Sequence, residues 1–432
     1  MDPERYRTSP LDPTAVAELA AAGFELQLAE DPAATEAWYQ AVRRGFHGGE
    51  YTAEHKAVRG ARVGYRRRTI VRDPLAEAPG EVVGTFATWA SELTVPGELV
   101  VDACAVSSVT VAPTHRRRGI LRSLMSGALR EAVAAGFPVA MLTVTESTIY
   151  PRFGFGAAAE AASWTIDTRR VRWTGPTTSG RLDFISRERL GEVAPILHER
   201  VRRRTPGEAQ GPSGHWLHLP RTEADAEKAT ELRVVQHRDD AGEVQGLVAY
   251  TVAGAADETQ HKVTVEFLAT ATDDAYAALW RFLLELDLVA TVTAHELAAD
   301  ESLRWMLGDQ RAATVTVLDH QYVRILDVVA ALEARTYPAA GELVLSVADP
   351  LGFATGEYTL RVDASGIGRV EVGYTAPDAP RLTLGVTELG SLYLGGVRAR
   401  TLAAAGRLEA TDLDAVDDLF RSRVTPRLSF WY

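Results

Sequence analysis

The chain has 432 residues, 46% of them hydrophobic, and a formal net charge of −12. That length suggests about two to four domains with ample material for buried cores, and the acidic balance argues against a nucleic-acid binder while suiting cationic, amine-bearing substrates. Cys104 is the only cysteine, so no intrachain disulfide can form; no apolar stretch is long enough to cross a membrane, and the Met-Asp-Pro-Glu start lacks the features of a signal peptide. These observations give the expectation of a cytoplasmic protein.

Residues 32–46 read as a helix containing Trp38 and Phe46, followed by a strand pair, 62–71 and 81–93, around the turn-rich segment Asp73-Pro74…Pro79-Gly80. Residues 99–111 read as a third strand. Its β-branched end, Val109-Thr110-Val111, stops near Pro113; Arg116, Arg117 and Arg118 follow, and Gly119 opens an amphipathic helix. Apolar residues recur along that helix at Ile120, Leu121, Leu124, Met125, Ala128, Leu129, Ala132 and Val133, and Gly136 ends it. A helix N-terminus has unpaired N–H groups and the positive end of the dipole, and a glycine there admits close approach, so the loop is suited to a pyrophosphate. A solvated basic turn is the plain alternative. Residues 137–144 then read as a buried strand, and Thr145-Glu146-Ser147-Thr148-Ile149-Tyr150 leads to a Gly-Phe turn at Gly154-Phe155.

The run Arg116 to Leu121 resembles the acetyl-CoA loop of the GNAT acetyltransferases, Arg/Gln-x-x-Gly-x-Gly/Ala, with leucine departing from the pattern at the last place. Arg-Arg-Arg-Gly, two aliphatics and Arg122 resemble one branch in particular, the enhanced intracellular survival (Eis) enzymes. The resemblance implies that Val109, Thr110 and Val111 pair with pantetheine, and that Arg117, Arg118, Gly119, Ile120, Leu121 and Arg122 cradle the pyrophosphate. It implies too that Thr145 and Glu146 contact the acetyl-CoA co-substrate. Tyr150 falls where the family has the acid that protonates the leaving thiolate, and a phenol with a pKa of roughly 10 is protonated at neutral pH. Trp38, Phe46, Phe86 and Trp89 are candidates for the acceptor pocket, with plain core as the alternative for each.

Trp173-Thr174-Gly175-Pro176 begins a polar break that marks a domain boundary. Beyond it, 192–204 reads as a helix with Pro195 in its first turn, 231–237 and 243–252 as a hairpin, 262–269 as a strand, 272–286 as a helix and 291–295 as a strand. The order echoes the first region, but Asp273-Asp274 replaces the basic loop and would repel a phosphate. We therefore expect a degenerate GNAT repeat without cofactor. After Asp319, 325–334 reads as a helix; 341–347, 356–362, 368–374 and 383–386 as strands; and 389–394 and 415–420 as helices. Leu389-Gly390-Ser391-Leu392-Tyr393-Leu394-Gly395-Gly396 resembles the sterol-carrier-protein-like domain of Eis proteins.

The expected fold class is α/β (α+β): a catalytic GNAT domain at 1–175, a degenerate one at 176–318, and a sterol-carrier-like domain at 319–432. The chain ends Ser429-Phe430-Trp431-Tyr432, an aromatic run expected to dock on protein rather than remain disordered. The resemblance implies that this end delivers the α-carboxylate of Tyr432 to the active site as proton acceptor, and that the enzyme is a homo-hexamer. Trp431 replaces an acidic residue found in the family, and Ser108 stands where an aromatic would line the channel; both bear on aminoglycosides as substrates. His215 and His218 lack a third ligand, so no metal is expected, and Cys104 is expected as a small buried hydrophobe. The implied reaction is acetylation of amines on aminoglycoside-like or polyamine small molecules. Protein lysine or another small amine is the alternative acceptor, and a lipid- or protein-binding module with a vestigial GNAT domain is the alternative of another class.

Overall fold

The structure, a computed structural model, describes residues 2–51, 62–78, 80–223, 226, 228–257, 259–373, 376 and 378–432. The chain divides into two compact units: Met1–Ala159, Gln321–Arg423 and Tyr432 form one, and Glu160–His320 with Val424–Trp431 form the other.

The first unit opens with two helices that the apolar pattern did not reveal, Pro3–Arg7 and Pro13–Ala21. Both start with an aspartate cap, Asp2 or Asp12, followed at once by proline, whose fixed φ suits the first helical position. β1 (Glu25–Leu28) and the expected helix, Pro32–Gly45, come next. β2 (Arg67–Asp73), β3 (Glu81–Val95) and β4 (Leu99–Val111) pair antiparallel in the order β1-β2-β3-β4. Pro79, in the predicted β2–β3 turn, lies outside the described residues. The helix Ile120–Ala135 then crosses over to β5 (Val139–Thr143), which lies parallel to β4. Its inner face, Ile120, Leu124, Met125, Ala128, Leu129 and Ala132, is buried against Phe86, Val106 and Leu142. Burial of each large aliphatic contributes roughly 1.5–3 kcal/mol.

The β4–β5 pair does not run the length of β4. Pairing extends only from Ala103↔Val139 to Val106↔Leu142. The β3–β4 register shifts between Thr85 and Ala87, opposite Ser108, which adopts φ +55°. Such a bulge bends and twists its strand, so beyond Val106 β4 stays with β3 and leaves β5, and the two parallel strands open into a V.

The second unit is a sheet ordered β6 (Gly156–Asp167, from Glu160 onward in this unit), β11 (Val289–Leu297), β10 (His261–Thr270), β9 (Val244–Ala253), β8 (Arg233–Arg238) and β7 (Arg181–Ile185). Among the described residues β10 and β11 pair in parallel, joined through the helix Asp273–Leu284, which repeats the β4–helix–β5 plan of the first unit, while β6–β11, β9–β10, β8–β9 and β7–β8 are antiparallel. Trp164, Trp280, Leu279 and Leu283 fill its core. The predicted helix at 192–204 is in fact Arg187–Arg202, so Pro195 lies in its interior rather than in its first turn. Ser186 caps it through Arg189 N, and burial of Leu190, Val193 and Leu197, worth roughly 1.5–3 kcal/mol each, outweighs the proline penalty of about 3 kcal/mol.

β12 (Ala313–Ile325) brings the chain back: Gln321–Ile325 lies antiparallel to β5 within the first unit. Ile325 therefore ends a strand instead of opening a helix, and the helix is Val328–Glu333, capped by Asp327 through Ala330 N. The predicted strands follow as β13 (Gly341–Ala348), β14 (Gly356–Val362), β15 (Gly368–Val372) and β16 (Arg381–Gly385), and β17 (Leu408–Ala410) completes the order β15-β14-β13-β16-β17. Tyr374, predicted in β15, lies outside the described residues. The two predicted helices are Val386–Tyr393 and Leu413–Phe420, with Ala399–Ala404 a third that the sequence pattern does not announce. Arg335, almost wholly buried, donates to the carbonyls of Tyr393 and Phe420, where a cation meets the negative ends of two helices.

Candidate active site

Gly119 occupies the N-cap of the helix Ile120–Ala135 with φ +86°, and no side chain caps that end. A Cβ built on Gly119 meets nothing within 4 Å, so the space beside it is open. That space belongs to a cleft of about 800 Å³. Its walls are the free end of β4 (Val109, Thr110, Val111), the loop and first helical turn (Arg117, Gly119, Ile120, Leu121, Arg122), and the segment after β5 (Thr145, Glu146, Tyr150). Phe46 stands at its edge, 54% exposed. Arg116, which opens the loop run, lines it too, as do His115 and Arg152, which the sequence did not point to. Arg116 was visible as the first member of the arginine run; Arg152 had no signal beyond standing two residues after Tyr150.

Four arginines around an uncapped helix terminus make a site for a polyanion, with backbone N–H groups and guanidiniums both available as donors. Arg118 alone of the predicted loop residues does not line the cleft. Its guanidinium lies 4.5 Å from the ring centre of Phe24 and 3.9 Å from Asp73, because Arg117 takes a left-handed φ of +65° and turns the loop at that point. His115 Nε2 lies 2.9 Å from Asp73 Oδ2, and this bond holds the Asp73 carboxyl below the usual range. The corresponding helix of the second unit, Asp273–Leu284, is closed by its own residues: Thr272 accepts from Ala275 N, and Asp274 accepts from Ser179 N.

Tyr150 begins a single turn of 3-10 helix, Tyr150–Phe153, and is buried against Phe155. Burial, with the charge of Glu146 as the second cause, pushes its phenol up to about 12. The group is thus protonated throughout the neutral range, available as a donor and unsuited to act as a base.

Where β4 and β5 part, the Thr143 hydroxyl donates to the main-chain oxygen of Tyr432 at 3.2 Å. The Tyr432 ring meets Trp89 edge-on at 5.2 Å, and burial raises its phenol far above the ordinary range. Trp89 also carries Tyr65 at 5.5 Å and the Arg66 guanidinium at 4.8 Å, and Arg66 donates to the hydroxyls of Ser107 and Ser108. Ser108 therefore serves the bulge and anchors Arg66.

Trp38 and Phe86, proposed from sequence as pocket residues, belong instead to packed core. Trp38 is 1% exposed among Ala34, Ile70 and Val82 and donates through Nε1 to the Phe86 carbonyl, while Phe86 packs under the helix Ile120–Ala135. Strand periodicity carried the missed signal: residues 86 and 89 of one strand face opposite sides and cannot line one pocket.

The residues before Tyr432 pack within the second unit. Arg427 pairs with Glu301 at 3.1 Å and Glu208 at 3.5 Å, Ser429 donates to Glu208, and Phe430 meets His198 and His215. Cys104 is buried in β4, 3.2 Å from the Tyr6 hydroxyl, and desolvation pushes its thiol up to about 12. Among the described residues no group of three His, Cys, Asp or Glu could hold a metal ion.

Two GNAT acetyltransferase-domain models match residues 30–158 and 207–325, and a sterol carrier protein domain model matches 328–429. An N-acetyltransferase of Streptomyces avermitilis is 40% identical over 385 residues, 87% of this chain and 90% of that protein. The N-acetyltransferase Eis of Mycobacterium tuberculosis is 37% identical over 377 residues, 84% of this chain and 88% of that protein. The chain belongs to the Eis family of GNAT acetyltransferases. The crystal structure of Eis1 from Mycobacterium abscessus matches it with a TM-score of 0.80 at 29% identity, over 95% of this chain and 100% of that one. As an Eis-family N-acetyltransferase, it uses acetyl-CoA as co-substrate and acetylates an amine.

Proposed function

We propose that this chain acetylates amines of aminoglycoside-like or polyamine small molecules by direct transfer, with Tyr150 as the acid and the terminal carboxylate of Tyr432 as the proton acceptor. The N–C bond forms as the C–S bond breaks; the amine proton leaves toward Tyr432 and the departing sulfur takes a proton from Tyr150. The observation that carries this reading is the single cleft that joins the Gly119 helix terminus and its arginines to Tyr150. Val109, Thr110 and Val111 form its strand edge, where pantetheine amides can pair as another strand would. Arg117, Ile120, Leu121 and Arg122 would hold the pyrophosphate, with Thr145 and Glu146 on the facing wall.

A phenol near 12 is a weak donor toward an ordinary thiolate of roughly 8.5. The same desolvation that raises Tyr150 penalises the departing sulfur anion in the same cleft, which narrows the gap between donor and acceptor. The position of the Tyr432 main-chain oxygen beside Thr143, at the opening between β4 and β5, supports its role on the amine side. The net charge of −12 favours polycationic acceptors, and Phe46 and Trp89 are the aromatic candidates left for their pocket. The second GNAT match would serve without cofactor, its helix terminus being already capped. A homo-hexamer in the cytoplasm completes the proposal.

The test is CoA release across a panel of aminoglycosides, polyamines and lysine peptides, with wild type and Tyr150→Phe. Tyr150→Phe should lower kcat by ~10²–10⁴ with acetyl-CoA affinity near wild type, as expected for loss of a general acid. Near-normal turnover would assign the proton to another donor, and activity confined to peptides would overturn the substrate class.

A further inference from the structure

The turn that carries Tyr150 is a poor structure on its own. It has four residues, no side-chain cap, and a left-handed glycine, Gly154 at φ +83°, as its exit. One turn of helix is far below the length that is stable in water by itself. Yet a proton donor must be held to within a fraction of an ångström of its acceptor. The grip on this turn comes from distant parts of the first unit.

Arg324, on β12, donates from Nε to the Phe153 carbonyl at 2.8 Å and from Nη2 to Asp349 Oδ2 at 2.7 Å; both side chains of the pair are completely buried. Asp349 also accepts from Leu351 N and Ala354 N, which fixes the loop after β13. Leu351 and Phe353 of that loop pack against the cluster that contains Tyr150, Phe153 and Phe155. Thr387, in the helix Val386–Tyr393, donates its hydroxyl to the Pro151 carbonyl at 3.3 Å. The backbones then meet almost without side chains between them. A Cβ on Gly156 would lie 1.9 Å from the Thr387 carbonyl oxygen, and one on Gly390 would lie 2.2 Å from that of Val323.

A buried ion pair costs several kcal/mol of desolvation per ion and is weak evidence of stabilisation, so its direction is the more informative property. Here the guanidinium is aimed by a carboxylate through Nη2 and by the Ile325 carbonyl through Nη1, and it gives Nε to the carbonyl of the turn. We infer that Arg324, Asp349 and Thr387 are positioning residues that hold the Tyr150 turn in register for proton transfer. The sterol-carrier-like region would then set the acid as well as lead the chain to its last residue. This rests on the assignment of Tyr150 as the acid.

The experiment is a double-mutant cycle on the full chain. Asp349→Asn and Thr387→Val are each made alone and with Tyr150→Phe, and kcat, KM for acetyl-CoA and Tm are measured. The expected result is a fall in kcat of about 10- to 100-fold for Asp349→Asn and a smaller fall for Thr387→Val, as for displacement of a reacting group by up to 1 Å. KM for acetyl-CoA should stay within about threefold, because the pyrophosphate loop is untouched; Thr387→Ser, which keeps the hydroxyl, should retain wild-type kcat. In the Tyr150→Phe background neither substitution should lower kcat further, since the group they position is gone. Equal losses with and without Tyr150 would overturn the positioning role while leaving the acid in place. Wild-type turnover in Tyr150→Phe alone would overturn the acid assignment and the positioning role with it. Should Asp349→Asn fail to fold, the partly exposed Thr387 carries the same cycle.

Discussion

The helix that faces the cleft provides its own control for a test of cofactor binding. Gly119 stands at its N-terminal end with φ +86° and Gly136 at its C-terminal end with φ +87°, and a Cβ at either position meets nothing within 4 Å. Gly119→Val and Gly136→Val therefore introduce the same strain, roughly 1–2 kcal/mol or more for placing a branched residue in left-handed backbone, and no clash with protein. By that reasoning their melting temperatures should fall together, by about 2–8 °C for a unit of this size. Only Gly119 opens on the cleft. A valine there would occupy the pyrophosphate's space and forfeit at least two charge-assisted hydrogen bonds, worth roughly 1.5–3 kcal/mol each, which corresponds to a loss of roughly 10²–10⁴ in affinity. Calorimetric titration with acetyl-CoA should thus show binding abolished or severely weakened in Gly119→Val and preserved in Gly136→Val. Equal affinity in the two variants would refute the placement of the pyrophosphate at this helix terminus.

Appending one glycine after Tyr432 moves its carboxylate by about 3.5 Å while leaving the ring on Trp89. If that carboxylate accepts the proton, kcat should collapse with Tm and cofactor affinity preserved; an active extended enzyme would rule it out. Burial holds His215 and His320 of the second unit down at about 4, against an ordinary value of 6.5. Folded pKa values below the unfolded ones mean that the unfolded chain takes up more protons as pH falls, so stability is complete above pH 6.5 and is lost as pH descends toward 4. Urea midpoints between about pH 7.5 and 4.5 should record this decline, and His320→Asn should flatten it; an unchanged slope in that variant would show that His320 is not among its sources.

The loop half of the candidate site was legible because a basic loop at a helix terminus is built from consecutive residues. Val109 to Arg122 carry strand end, basic loop, glycine and amphipathic helix in one stretch, and the cleft collects all of the loop residues named from it except Arg118. The Tyr150 turn was legible for the same reason, Tyr150 and its exit glycine, Gly154, lying close together in the chain. What holds that turn was not: Arg324, Asp349 and Thr387 come from three separate elements, and no local pattern announces a buried ion pair aimed at a distant carbonyl. The Arg66 stack on Trp89 was hidden likewise. Errors of detail arose where packing overrode a local rule, as at Pro195, or where a cap outranked an apolar run. Asp327 is such a cap: it starts the helix two residues beyond Ile325, where the hydrophobic pattern alone would open it.

The contact between Thr387 and Pro151 joins residues 236 apart in the chain. Synthesis proceeds at about 5–20 residues per second, so the Tyr150 turn emerges from the ribosome on the order of 12–47 seconds before the helix that secures it. The β4–β5 framework and the Gly119 helix, by contrast, are complete within the first third of the chain. A nascent chain would thus be able to complete the strands and helix around Gly119 well before the Tyr150 turn is held in place, so that, on the roles proposed above, most of the acetyl-CoA site would form before the means to use it.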